Sequence, residues 1–152
     1  MESIKALSRG TTLVLVAGPL LFFSLFFTWQ NLAVDFGPAG RADYPLDGWD
    51  VWGLLIALQV IALVTLMVIV HMTELEMSED IPWDTVTFAL GNAVFVLTVV
   101  KNVTDADSTW TSYGFVGLAT AVATGAYLNW AETRSHERPL LGRGDRGFSS
   151  TA

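Results

Sequence analysis

The stretch Val51–Val70 contains twenty consecutive residues without a charged side chain. At about 1.5 Å of rise per residue, a helix of this length reaches roughly 30 Å, the thickness of the hydrocarbon core of a bilayer. Within lipid, only helices and closed barrels satisfy every backbone hydrogen-bonding group. The stretch therefore predicts a transmembrane helix, and we expect similar helices beside it.

Three other segments have the same apolar character. Only 15% of the residues are charged and 52% are hydrophobic, against about 25% charged residues in soluble domains. These features predict one all-α domain, a four-transmembrane-helix bundle in a lipid bilayer. We expect its spans at about residues 12–32, 49–72, 82–103 and 110–130, followed by a flexible cytoplasmic tail at 133–152.

Basic residues indicate the orientation of the bundle, because they are enriched in cytoplasmic segments. With both termini inside the cell, the outer loops contain only Arg41 and Lys101. The inner segments then contain Lys5, Arg9, Arg134, Arg138, Arg143 and Arg146. We therefore expect a multi-pass protein of the cell membrane with cytoplasmic termini, a solvated outer loop at 35–48 and an acidic inner loop at 73–80.

The six tryptophans fall at the predicted ends of the spans, where amphipathic indole rings sit among lipid headgroups. They are predicted to be interface anchors, with a cofactor cage as the alternative. The outer anchors are Trp29, Trp49, Trp52 and Trp110, and the inner anchors are Trp83 and Trp130.

Helices in lipid associate through close packing of small residues and through interhelical hydrogen bonds. The fourth span has the small-xxx-small pattern, which predicts a packing face used either within the protomer or between protomers. This face consists of Gly114, Gly117, Ala121 and Gly125.

Two amides lie deep in the second and third spans, each roughly 13 Å from its own surface. Gln59 and Asn92 are therefore predicted to form a structural hydrogen bond near the midplane, with the lining of a substrate path as the alternative. At the outer interface, Asp50 and Asp47 are the predicted partners of Lys101. Asp47 is also expected to cap the second span by accepting from the amide of Asp50.

The residue content excludes several chemistries. The chain has no cysteine and only His71 and His136, which excludes thiolate nucleophiles, iron–sulfur clusters and Cys-ligated zinc. The acidic loop lacks the ligand alternation and glycine of an EF-hand. We predict no catalytic residue, no cofactor and no metal site. The net charge of -7 also argues against nucleic acid as a partner.

The residues from Phe22 to Gly53 contain FFSLFFTW, an outer loop with glycine and aspartate, and then GWDVWG. In this pattern the chain resembles small, uncharacterised four-span integral membrane proteins of actinobacterial type. The resemblance implies a four-helix membrane fold and no particular activity.

Three classes of function are compatible with these features. The first is a non-catalytic accessory, assembly or interaction module that contacts another membrane protein or a second copy of itself. An oligomeric transporter, channel or sensor for a small neutral solute is the alternative, and the absence of a carboxylate at mid-depth argues against proton coupling in it. A membrane enzyme is the third, and its catalytic groups would come from the interfacial Asp47, Asp50, His71, Glu74 and Lys101.

Overall fold

The computed structural model describes residues 7–73, 78, 80–105 and 108–141, with side chains described up to residue 135. The chain is mostly helical, as predicted, and it also contains a two-stranded sheet. The elements in chain order are α1 (Arg9–Ser24), β1 (Thr28–Asp35), a short 3₁₀ turn (Gly37–Ala39), β2 (Arg41–Asp47), α2 (Val51–Met72), α3 (Trp83–Thr104) and α4 (Trp110–Leu141).

Helix α1 begins after Ser8, whose side chain accepts from the amide of Thr11 at 3.1 Å. It ends at Ser24, so the prediction of a helix continuing to residue 32 is wrong. The amides of Leu25, Phe26 and Phe27 each bond to a carbonyl three residues back, which tightens the chain and turns it out of the helix. Apolar composition alone does not distinguish a helix from a short buried strand.

The predicted solvated outer loop is instead part of an antiparallel β-hairpin. In its register, Leu32 lies opposite Tyr44 and Val34 lies opposite Ala42. The chain reverses at Gly37 and Gly40, whose φ values of 61° and 102° favour glycine. Both flanking runs and the Gly-Pro-Ala-Gly turn are visible in the sequence, and they are the signal by which this hairpin was predictable.

Two of the helices, α2 and α3, are long and apolar enough to cross a membrane, judged by length and composition within the described residues. Helix α1, with 16 residues, is a shorter apolar helix. Helix α4 continues to Leu141, beyond the predicted end of the fourth span at 130. The remainder of the predicted tail and most of the predicted acidic loop lie outside the described residues.

In the bundle, α4 packs on α1 and α3, and α2 packs on the other sides of α1 and α3. The helices approach closely where one of them has a glycine. A Cβ atom at Gly10 would lie 2.6 Å from the carbonyl oxygen of Gly125, and one at Gly91 would lie 2.5 Å from the Cβ of Ala126. These contacts leave no room for a larger side chain.

The hairpin joins the end of the bundle where α1 and α3 finish and α2 and α4 begin. We call this end the hairpin end and the opposite end the cleft end. The amide of Gly48, after β2, donates to Leu25 O at 2.8 Å, and the amide of Thr109, before α4, donates to Trp29 O at 2.9 Å. The hairpin is thus bonded at its base to two connections of the bundle.

Candidate functional site

A lysine with no solvent-exposed surface lies at the hairpin end. Lys101, in the last turn of α3, is 0% exposed, and its Nζ is 2.6 Å from Asp50 Oδ2 and 3.0 Å from Asp105 Oδ2. The same Nζ lies 5.2 Å from the centroid of the Trp29 ring. Fully buried lysines are rare unless they are paired, so these four residues form the most unusual electrostatic feature of the described chain. We call them the lysine centre.

Local sequence explains how each carboxylate reaches the ammonium group. Asp50 is the N-cap of α2: its Oδ1 accepts from the amide of Gly53 at 2.7 Å, which leaves Oδ2 for Lys101. Asp105 follows Lys101 by four residues, at the end of α3. A lysine is also favoured in the last turn of a helix by the helix dipole. The lysine centre therefore links the beginning of α2 to the end of α3.

Burial and the interactions with Lys101 and Gly53 determine the pKa of Asp50. Burial alone raises the pKa of a carboxyl group, but hydrogen bonds from Lys101 and from the amide of Gly53, together with the Lys101 charge, outweigh burial. The net effect lowers the pKa of Asp50 below its ordinary value. Asp50 is thus ionised at neutral pH, as the ion pair requires.

Trp29 covers the ammonium group of Lys101 and attaches the hairpin to the lysine centre. Its ring is fully buried, its Nε1 donates to Ser24 O at 3.0 Å, and its centroid lies 4.9 Å from that of Phe115. A Cβ atom at Gly48 would lie 2.7 Å from Trp29 Nε1, so the chain after β2 passes directly against the indole. Trp29 was predicted to be an interface anchor, and its complete burial contradicts that role. The early end of α1 turns the ring into the bundle.

Hydroxyl groups reinforce the attachment of β1. The hydroxyl of Thr109 donates toward the carbonyls of Thr28 and Trp29 at 3.0 and 3.1 Å, and that of Thr111 donates to Thr28 O at 2.8 Å. Gln30 also forms a bridge with Ser108. The connection between α3 and α4 therefore holds one edge of the hairpin base.

The chemistry available to the lysine centre is structural. The ammonium charge is opposed by two carboxylates and has no exposed surface, so it is not placed to attack a substrate or to exchange a proton with one. Removing one partner of such a buried pair typically costs about 3–5 kcal/mol, because the other charge remains buried. The arrangement can hold α2, α3 and the hairpin in one geometry.

The predicted contact between Lys101 and Asp50 is confirmed. Asp47, the other predicted partner, instead accepts from the amide of Trp49 at 3.0 Å. Asp47 does not cap α2 as predicted, because Asp50 itself is the N-cap.

The predicted hydrogen bond between Gln59 and Asn92 is not formed in the structure. Asn92 Nδ2 donates to Phe88 O of its own helix at 2.8 Å, and the side chain lines a shallow groove between α3 and α4 with Thr120 and Thr124. Gln59 Oε1 is buried without a hydrogen-bond partner among the described residues. Equal depth in two helices does not determine their rotation, and here the two amides face different neighbours.

The predicted packing face of α4 is divided. Gly125 contacts α1, where a Cβ atom would lie 2.8 Å from Gly10 O, and Ala121 packs partly against the core. Gly114 and Gly117 are exposed, and no atom lies within 4 Å of a Cβ built on either. The small residues of α4 thus serve helix packing only at its middle. Gly10 and Gly91, which were not predicted from the sequence, form other close contacts between helices.

Of the other predicted tryptophan anchors, Trp49, Trp52, Trp83 and Trp110 lie near helix ends, whereas Trp130 lies within α4, which continues to Leu141. At the hairpin end, Trp110 is 87% exposed, and Trp49 and Trp52 are partly exposed. At the cleft end, Trp83 Nε1 donates to Ser78 O at 3.0 Å, whereas Trp130 stacks on Phe88 with 5.1 Å between ring centroids. Their anchoring in a membrane stays a prediction.

Comparison with family models, with curated proteins and with solved structures finds no match. Within the described part of the chain, no group of three or more His, Cys, Asp and Glu residues is arranged to hold a metal ion. Of the interfacial residues considered for an enzyme, Asp50 and Lys101 are paired, and Glu74 lies outside the described residues.

Proposed function

We propose that the chain is a non-catalytic integral membrane protein that crosses the bilayer four times, with both termini in the cytoplasm. In this proposal its hairpin is held rigidly outside the cell as an interaction module for another membrane protein. The observation that carries the proposal is the lysine centre, which commits a buried charge to fastening the hairpin instead of to chemistry.

The outward surface of α2 supports the membrane environment. Large apolar side chains follow one stripe of the helix and project away from the bundle: Val51, Leu54, Leu58 and Ile61 are each at least half exposed. Such a stripe is costly in water and favourable against lipid tails. The distribution of basic residues supports the orientation.

The surface of the hairpin supports a protein partner. Leu32 and Tyr44 lie opposite each other, and Leu46 is two residues further along the same face. All three are exposed, as is Phe36 near the turn. A two-stranded hairpin has little stability of its own in water, and an apolar face on a firmly held hairpin is suited to contact with another protein.

The orientation is tested by labelling single cysteines, since the chain has none of its own. We expect a membrane-impermeant maleimide to label Ala39→Cys, at the turn of the hairpin, in intact cells. Ala152→Cys, at the terminus, should react only after permeabilisation. Labelling of residue 152 in intact cells would overturn the proposed orientation.

The interaction is tested by affinity purification from native membranes in mild detergent, followed by mass spectrometry. We expect one protein to be recovered in stoichiometric amount with the unmodified chain and to be lost with the double variant Leu32→Ser, Tyr44→Ser. Leu58→Ala on α2 is the matched control, because it also changes an exposed apolar residue and should retain the partner. Equal recovery with both variants would exclude the hairpin as the contact surface.

A second candidate, an oligomer that passes a small neutral solute, is favoured by one observation. Asn92, Thr120 and Thr124 line the same outward groove between α3 and α4, with a volume of about 330 Å³. Polar groups on a lipid-facing surface are expensive and often meet a partner helix. Solute flux into proteoliposomes that is abolished by Asn92→Leu would favour this candidate over the first.

A further inference from the structure

The cleft end of the bundle has an open cavity of about 650 Å³ between the end of α2, the beginning of α3 and α4. Its polar lining consists of His71, Asp80, Asp84, Thr87, Asn129 and Thr133, whereas Val70, Ile81 and Trp83 contribute apolar surface. None of these residues belongs to the lysine centre or to the hairpin. The cavity is therefore separate from the surface on which the proposed function rests.

Two buried polar side chains contribute to the lining. Asn129 is only 7% exposed, and its Oδ1 accepts from the hydroxyls of Ser8 at 3.3 Å and Thr11 at 3.2 Å. With the oxygen bonded to Ser8 and Thr11, the Nδ2 group is the donor of this amide that those bonds do not use. Thr87 is 1% exposed, and its hydroxyl donates to Asp84 O at 2.9 Å. These bonds hold both side chains in place before any ligand arrives.

The imidazole of His71 presents an acceptor. Its Nδ1 lies 3.2 Å from Met67 O, and since a carbonyl oxygen only accepts, Nδ1 is assigned as the donor of this bond. In the tautomer that carries its proton on Nδ1, the lone pair of Nε2 is available to a donor. His71 is half-buried at the end of α2, so the ring is held by its own helix.

The charged residues of the lining indicate the charge of a ligand that the cleft would bind. Asp80 and Asp84 are carboxylates, and among the described residues that line the cleft there is no lysine or arginine. Within the described residues, neither Asp80 nor Asp84 forms a salt bridge that compensates its charge. A cation is therefore favoured in the cleft.

A primary ammonium group also supplies three N–H donors to the oxygen and nitrogen acceptors present. A quaternary ammonium supplies none and is normally held by several aromatic rings, whereas this lining contains only Trp83.

We propose that the cleft binds the primary ammonium group of a small amphiphile. Asp84 and Asp80 oppose its charge, His71 Nε2 accepts one N–H, and Asn129 Nδ2 donates to an oxygen atom beside the ammonium. Val70, Ile81 and Trp83 contact the apolar part. In the proposed orientation the cleft opens at the cytoplasmic face, where such a group is available both from aminophospholipid headgroups and from free amines. The inference does not require the hairpin to have a partner.

The test measures lipid binding to the purified full-length protein by native mass spectrometry. The probes are phosphatidylethanolamine and phosphatidylcholine with the same acyl chains, which differ only in the ammonium group. We expect phosphatidylethanolamine to bind about tenfold more tightly, the effect of one charge-assisted hydrogen bond. Equal binding of the two lipids, together with no competition by ethanolamine, would overturn the proposal.

Competition distinguishes the two sources of the ammonium group. If free ethanolamine displaces phosphatidylethanolamine at millimolar concentration, the cleft recognises the amine alone and soluble amines are ligands. If it does not, while the preference for phosphatidylethanolamine persists, the apolar part of the lipid is required and the ligand is the headgroup of a membrane lipid. Both results support an ammonium site.

Variants localise the binding. Asp84→Asn should reduce the preference for phosphatidylethanolamine about tenfold, and the matched control Asp43→Asn, at an exposed carboxylate of the hairpin, should leave it unchanged. Because Asp84 lies in the first turn of α3, Asp80→Asn outside that helix provides a second variant if the first fails to fold. An unchanged preference in a folded Asp84→Asn or Asp80→Asn protein would place any ammonium site elsewhere.

Discussion

The two ends of the bundle use the same residue types in opposite ways. At the hairpin end, Asp50 and Asp105 surround Lys101, and no part of the lysine side chain reaches solvent. At the cleft end, Asp80 and Asp84 line an open cavity in which the described part of the chain places no lysine or arginine. A carboxylate is structural where a described cation lies within reach, and it is available to a ligand where none of the described residues supplies one. In our proposals the hairpin end fastens the fold, and the cleft end recognises a ligand.

The largest effect should come from a substitution that disrupts the lysine centre at the hairpin end. Lys101→Met leaves two carboxylates near each other without their cation, and we expect the free energy of unfolding in detergent to fall by about 3–5 kcal/mol. The control Arg41→Met removes an exposed charge from the hairpin and should change it by less than about 1 kcal/mol. A small effect of Lys101→Met would show that the lysine centre does not fasten this end.

A smaller effect should come from the close contact between α1 and α4 near the cleft end. Gly125→Ala places a Cβ atom 2.8 Å from Gly10 O, and we expect a destabilisation of about 1–3 kcal/mol. Gly117→Ala on the same helix meets no atom within 4 Å and should be neutral or slightly stabilising, because alanine favours a helix by about 1 kcal/mol over glycine. Equal effects of the two substitutions in an unfolding assay would contradict the observed packing of α4.

Lowering the pH should destabilise the fold at the hairpin end, because it protonates Asp50. Because its pKa is lower in the folded protein than the ordinary value of 3.8, ionised Asp50 stabilises the fold above that value. This stabilisation is lost as pH falls from about 4 through the folded pKa. Between pH 7 and pH 3, the free energy of unfolding should decrease less for Asp50→Asn than for the control Asp43→Asn. Equal decreases would mean that Asp50 is not linked to folding.

The smallest effect concerns the middle of the bundle, between the two ends. Gln59→Leu removes a buried oxygen that has no partner among the described residues, so we expect a change between neutral and about 1 kcal/mol of stabilisation. Since Gln59 and Asn92 do not bond, Gln59→Leu and Asn92→Leu should be additive within about 0.5 kcal/mol. A coupling above 1 kcal/mol in the double-mutant cycle would indicate that the two amides do meet.

Sequence reasoning succeeded where the property depends on position along the chain. The helix Val51–Met72 was expected from an uninterrupted apolar run, and its observed bounds differ little from the predicted 49–72. The pairing of Lys101 with Asp50 followed from opposite charges at the same predicted depth. Half of the lysine centre was therefore predictable, while the contributions of Asp105 and Trp29 emerged only from the structure.

Sequence reasoning failed where the property depends on rotation or on distant partners. Asn92 lines a groove between α3 and α4, since the rotation of α3 that places Gly91 against Ala126 also turns Asn92 toward α4. Trp29 is polar enough for an interface, yet it is buried because the chain turns after Ser24 and pairs with β2. Neither result is contained in the local pattern of apolar residues.

The sequence by itself determined that the chain forms long apolar helices, and it determined where each charged residue lies relative to them, because length and hydropathy are read along the chain. The tertiary structure decided that α1 ends at Ser24, that a hairpin follows it, and that one end of the bundle is closed while the other is open. These outcomes depend on how helices rotate against one another and on contacts between residues far apart in the chain. Such contacts are selected by the packing of the whole bundle.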